Sequence, residues 1–194
     1  MKVVIIVASL VLSPRAKCAA VINVLESGGD VIVLGSGTLD LNGLALLGSN
    51  ASSISGTLNG GGAALVIGEG GYAIYEGSAG PSSFGQSGLV MANDSTGDLF
   101  GVGAQGMVIF VPFAYSSGSP LSATSKWRNS SILSLGLTPG IYTYIWNTGI
   151  GSTVESLTVN VIPEPSTLCL IGTFLIGIAF RRARITCGES GSRE

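Results

Sequence analysis

The chain has 194 residues, enough for one domain of ordinary size with short flanking segments, and only nine Lys and Arg against eleven Asp and Glu. It contains no His and 30 Gly, so Ser-His-Asp chemistry is excluded and the commonest metal ligand is missing. With charged residues at 10% and apolar residues at 46%, the composition speaks against charged surface helices and against a disordered chain, and for short strands joined by turns.

The first twenty residues, MKVVIIVASLVLSPRAKCAA, combine an early lysine, an apolar run from Val3 to Leu12 and small residues at the end. This order reads as a secretory signal peptide over residues 1–20, with cleavage expected after Ala20. The apolar run is too short for a stable span, which takes roughly 20 residues. The three cysteines, Cys18, Cys169 and Cys187, all lie outside the stretch from Val21 to Ile162, so no disulfide framework is expected there.

Residues 21–160 read as one β-rich extracytoplasmic domain. VINVLE and DVIVLG, separated by a Ser-Gly-Gly break, predict a hairpin. The Gly/Ser-rich stretch around Gly43 to Gly62 is expected to be loosely held. Before it, TLDLNGL continues the alternation, with Leu39 and Leu41 on one face. AALVIGEGGYAIYEG offers two apolar runs separated by glycines, and GMVIFVPFAY another. NSSILSLGL predicts one or two helical turns. LTPGIYTYIWNTG and STVESLTVNVI then supply two further strands. The fold class is therefore mainly β, a single antiparallel β-sandwich-like domain flanked by the signal peptide and a short C-terminal apolar helix.

Few residues in this body suggest chemistry. Glu26, Asp30, Asp40, Glu69, Glu76, Asp94, Asp98 and Glu155 show no spacing that selects a catalytic pair, and they read as solvated turn and strand-edge acids. Asn93 to Asp98, NDSTGD, gathers oxygen ligands but lacks the spacing of a calcium loop. Gly101, Gly103 and Gly106 satisfy a dinucleotide-binding pattern literally, yet a strand pattern follows where that site needs a helix. No catalytic residue, metal ligand or cofactor is assigned, and an enzyme is not expected. Eight acids against Lys126 and Arg128 leave Val21 to Ile162 at a net charge of −6, which disfavours nucleic acid as a partner. Trp127, between Lys126 and Arg128, is the better candidate for an exposed glycan contact. Trp146, in a stripe with Tyr142 and Tyr144, is the other, although such a stripe is more often core.

The C-terminal end is more specific. Val161-Ile162-Pro163-Glu164-Pro165-Ser166-Thr167 is followed by the uncharged run LCLIGTFLIGIAF, Leu168 to Phe180, and then by Arg181, Arg182 and Arg184. Pro163 and Pro165 lack backbone donors and hold their preceding residues extended, so the segment stays out of sheet and helix. Ser166 and Thr167 can cap a helix beginning with the apolar run. Thirteen residues make about 20 Å of helix, short of the roughly 30 Å hydrocarbon core. The arginines act as a stop to translocation.

This order, Pro-Glu-Pro, apolar run and arginine cluster over residues 161–184, resembles the C-terminal sorting signal of the PEP-CTERM family, found in exported proteins of Gram-negative bacteria that make exopolysaccharide. The wording of ESGGDVIVLGSGTLDLNGL and SLGLTPGIYTYIWNTG also resembles bodies seen in that family. The resemblance implies recognition by an exosortase, an integral-membrane cysteine peptidase that cuts near Pro-Glu-Pro and passes the body to the cell surface or matrix. Pro163, Glu164, Pro165, Ser166 and Thr167 would then form the processing motif, with transient residence in the inner membrane. Residues 185–194 continue past the arginines, where such signals commonly end, and read as a cytoplasmic tail. The expected function is an exported surface or matrix structural protein linked to exopolysaccharide and biofilm. The alternative is a membrane-anchored carbohydrate-binding or adhesive β-sandwich.

Overall fold

The computed structural model describes residues 19–103, 107–149 and 153–163. The signal segment before Ala19, the residues from Glu164 onward and the tail lie outside them.

The body is a mainly β sandwich of two sheets. The predicted hairpin forms from β1 (Ala19–Ser27) and β2 (Asp30–Thr38), in register from Ala20 opposite Gly37 to Ser27 opposite Asp30. Its two-residue turn is Gly28-Gly29, with φ of +63° and +82°. Two consecutive positive φ values match the right-handed twist of a hairpin, and glycine adopts them without steric cost. The turn is roofed by a later loop: Asn129 donates its backbone N–H to Asp30 Oδ1 at 2.8 Å and Ser130 donates to the Gly29 carbonyl at 3.0 Å. Lys126 pairs with Asp30 at 2.7 Å.

β3 (Ala45–Asn59) and β4 (Ala64–Glu76) come next, the two longest strands. The Gly/Ser-rich stretch is thus not loosely held: one edge of β3 is laddered to β4, with register shifts between Leu46 and Gly48, Asn50 and Ile54, and Ser55 and Thr57. TLDLNGL also departs from expectation. β2 ends at Thr38, and Leu39 and Leu41 are buried from a loop that closes one end of the sandwich. Their N–H groups are donated to the Tyr115 hydroxyl at 3.0 Å and Ser117 Oγ at 2.8 Å.

Three short strands follow, β5 (Leu89–Met91), β6 (Asp94–Gly97) and β7 (Phe100–Gly103), then β8 (Val108–Pro112) and β9 (Pro120–Trp127). Ser131 to Leu137 makes a single turn: Leu135 donates to the Ser131 carbonyl at 2.9 Å and the chain then leaves, burying Ile132, Leu135 and Leu137. β10 (Gly140–Asn147) and β11 (Val154–Ile162) complete the body.

One sheet has the order β10-β11-β1-β2-β9-β6, the other β5-β3-β4-β7-β8. Pairing is antiparallel throughout except between β1 and β11, which run parallel from Ala19 opposite Ser156 to Leu25 opposite Ile162. The first sheet turns Ile22, Val24, Val31, Val33, Leu157 and Val159 inward, and all are buried against Leu58, Leu65, Ile67, Phe100 and Ile109 of the second. Alternation with half-buried neighbours is the period-2 pattern of a sheet covered on one face.

The two sheets are also joined by a polar link. Ser125, fully buried on β9, accepts the Gly68 N–H of β4 at 3.0 Å and shares a 2.9 Å hydrogen bond with Ser95 of β6, which accepts the Gly56 N–H of β3 at 3.0 Å. Gly68 has φ of +76°, and a Cβ there would meet the Asp98 carbonyl oxygen at 2.0 Å, so only glycine lets the backbone approach this closely. Changing Ser125 to Ala strands a buried N–H. Chemical denaturation should show a loss of about 1–3 kcal/mol at an unchanged m-value.

Candidate functional site

β11 carries the chain to the candidate processing motif. Its alternate residues Leu157, Val159 and Val161 are buried, and it is paired on both sides, to β10 and to β1. Ile162 is 45% exposed and Pro163, which ends the described residues, is exposed as well. The motif therefore begins where the sheet ends. A proline at this point has no N–H with which to extend the ladder, so pairing ceases there. Glu164, Pro165, Ser166, Thr167, Arg181, Arg182 and Arg184 lie outside the described residues.

At the other end, Ala20 is 1% exposed and pairs with Gly37 on one side and Leu157 on the other. A cut after Ala20 would remove the first two residues of a central strand. Because β1 and β11 are parallel neighbours, Ala19 enters at the Ser156 end and Pro163 leaves beyond the Leu25 end. The chain thus enters and leaves the body at opposite ends of adjacent strands.

The two glycan-contact candidates do not reach the surface. Trp127 is 1% exposed, on an inward-facing position of β9 opposite Val31, with its indole N–H directed to the Val90 carbonyl at 3.4 Å. Trp146 is 3% exposed and donates to the Asp40 carbonyl at 2.8 Å. The flanking charges that suggested exposure for Trp127 belong to its neighbours, which a strand turns to the opposite face. Of the stripe, Tyr144 and Trp146 are core and Tyr142 is half-buried against it, and Ile141 and Ile145 are the outward residues, at 76% and 45% exposure.

Most acids named from the sequence take structural partners. Glu26 accepts the Ile132 N–H at 2.8 Å, Asp98 the Ser122 N–H at 2.9 Å, and Asp94 forms a two-pronged pair with Arg128 at 2.8 Å. NDSTGD spends its oxygens this way on a strand edge, and among the described residues no group of three His, Cys, Asp or Glu is placed to hold a metal. One pair does come together. Glu155, 4% exposed at the start of β11, accepts the Ser156 N–H at 3.0 Å and the Asp40 N–H at 3.4 Å, beside Trp146. Burial pushes its carboxyl above the usual range, its two backbone hydrogen bonds oppose the shift, and the charge of Asp40 adds to it. This corner pins the loop after β2 to β11. In sequence Glu155 resembled a strand-edge acid; its alternation in phase with Leu157, Val159 and Val161 was the available signal.

A comparison with family models, with curated proteins and with solved structures gives no match.

Two outcomes follow from these buried groups. A carboxyl whose folded pKa is raised binds its proton more tightly in the native state, so the contribution of Glu155 to stability is full in acid and is lost as pH climbs from about the ordinary carboxyl value of 4.5 through the folded pKa. Thermal unfolding followed across that interval should show this decline, and Glu155→Gln should flatten it. Tyr144 is fully buried, and its hydroxyl has no hydrogen-bond partner among the described residues. Its phenol is correspondingly held above the ordinary tyrosine range by burial and by Tyr142. Tyr144→Phe should be neutral or stabilising by about 1 kcal/mol in denaturant titrations, where a partnered hydroxyl would give a loss of similar size.

Proposed function

We propose that the chain is an exported structural protein of the cell surface or extracellular matrix, sorted by an exosortase through Pro163-Glu164-Pro165 and associated with exopolysaccharide and biofilm. The observation that carries this reading is the order of three physical devices in residues 161–184: a proline-held extended segment, an uncharged run short for a permanent span, and an arginine stop. The exposure of Ile162 and Pro163 at the end of β11 supports it, because a peptidase must bind its substrate extended and out of the sheet. Burial of Trp127 and Trp146 supports a structural body over one that stacks sugars on tryptophan. In this reading the body is cargo and the C-terminal segment is its address.

Intact mass of the protein recovered from envelope and medium tests the proposal, in a host bearing the peptidase and in one lacking it. The expected product ends near Pro163 only when the peptidase is present. Retention of Phe180 and the arginines in both hosts would replace sorting with permanent anchoring. The same spectra report the N-terminus. Keeping β1 whole calls for a mature chain that retains Ala19 and Ala20.

A further inference from the structure

Among the described residues, β3 is the longest strand and has an open flank. One edge pairs with β4, with register shifts between Leu46 and Gly48, Asn50 and Ile54, and Ser55 and Thr57, whereas the other pairs with β5 only at Thr57, Leu58 and Asn59. Just before that contact, Gly56 gives its N–H to Ser95 and its carbonyl to the Ala92 N–H. Ala45 to Ser53 has no partner strand on that flank among the described residues, and all nine residues are exposed. At about 3.3 Å per residue this is roughly 30 Å of free edge.

Open edges invite pairing, and other edges of this protein are blunted. β5 has three residues and β6 four, the latter guarded by the Asp94–Arg128 ion pair. The outer edge of β10 is met at one point by Ala79, which exchanges two 2.8 Å hydrogen bonds with Ile145. β3 carries neither proline nor charge: the sequence has no Asp, Glu, Lys or Arg between Asp40 and Glu69. It also displays Leu46 and Leu47, at 58% and 56% exposure.

We propose that the free edge of β3 pairs antiparallel with β3 of a second copy of this chain, joining two five-stranded sheets into one. Self-pairing suits this edge. The body carries a net charge of −6, which opposes most contacts between copies, but this strand is neutral and meets its own image without like-charge repulsion. A two-fold axis near the middle of the segment lays Ala45 to Ser53 of one copy against the same residues of the other, with the exposed Leu46 and Leu47 at the seam. The pairing does not depend on how the chain is exported.

Sedimentation velocity and amide exchange of the full chain in mild detergent test it, using Ser49→Lys and Ser49→Glu. The wild type should dimerise, with amides 45–53 protected in a concentration-dependent way. Each variant should weaken dimerisation about tenfold or more and expose those amides, while β1 and β11 stay protected as a record of intact fold. An equimolar mixture of the two variants should restore the dimer. A monomeric wild type would overturn the proposal, as would association indifferent to Ser49→Lys or protection of the edge only when a different protein is added.

Discussion

The parallel pairing of β1 with β11 is the contact on which the rest of this body depends. It joins Ala19 to Ser156 and Leu25 to Ile162, so nearly the whole described chain must be closed into a loop before it forms. Closure over such a distance has an entropic cost that grows only slowly with length, but it must be met before any of these contacts returns free energy. The return comes from two rows of inward residues, Ala20, Ile22 and Val24 beside Leu157, Val159 and Val161, all buried. With β11 seated, β10 has an edge to pair with, and Tyr144 and Trp146 are carried into the interior. Both ends of the body are set by that one interface, which also explains why the chain enters and leaves at opposite ends.

The interior is bound by more than apolar contact. The Ser95–Ser125 link fixes the spacing of the sheets where Gly56 and Gly68 bring backbone close, and the Glu155–Asp40 corner holds a loop against the end of β11. Ser95, Ser125 and Glu155 are thereby held in structural hydrogen bonds. A buried serine whose oxygen already serves two partners is a strut, and a carboxyl whose oxygens hold backbone N–H groups is a latch. In this respect the described body looks inward. What faces outward is a broad sheet surface with isoleucines at its rim, and the neutral edge of β3.

Much of the fold was legible in the sequence because a sheet covered on one face writes a period of two into its strands. VINVLE, DVIVLG, IYTYIW and LTVNVI each became a strand, and in the last Leu157, Val159 and Val161 are buried while Thr158 and Asn160 alternate with them. β9 was harder to see. Its inward positions are Leu121, Ala123, Ser125 and Trp127, small and polar enough to hide the pattern. β3 was obscured for the opposite reason: its glycines and serines signal flexibility locally, whereas its order comes from ladder bonds to β4, which no short window contains. Trp127 misled because Lys126 and Arg128 beside it imply solvent, while alternation turns the ring away from both.

The sequence by itself determined the class of fold, the first hairpin and the three-part order at the C-terminus, since each follows from local chemistry: alternation, consecutive glycines in a tight turn, prolines that cannot extend a ladder, arginines beside an apolar run. Tertiary structure alone decided the parallel union of β1 and β11, the burial of both tryptophans, the company of Glu155 and Asp40, and which strand was left with an open edge. Those outcomes depend on which elements become neighbours. That choice minimises exposed apolar surface and unpaired backbone over the whole chain at once, so no single segment records it.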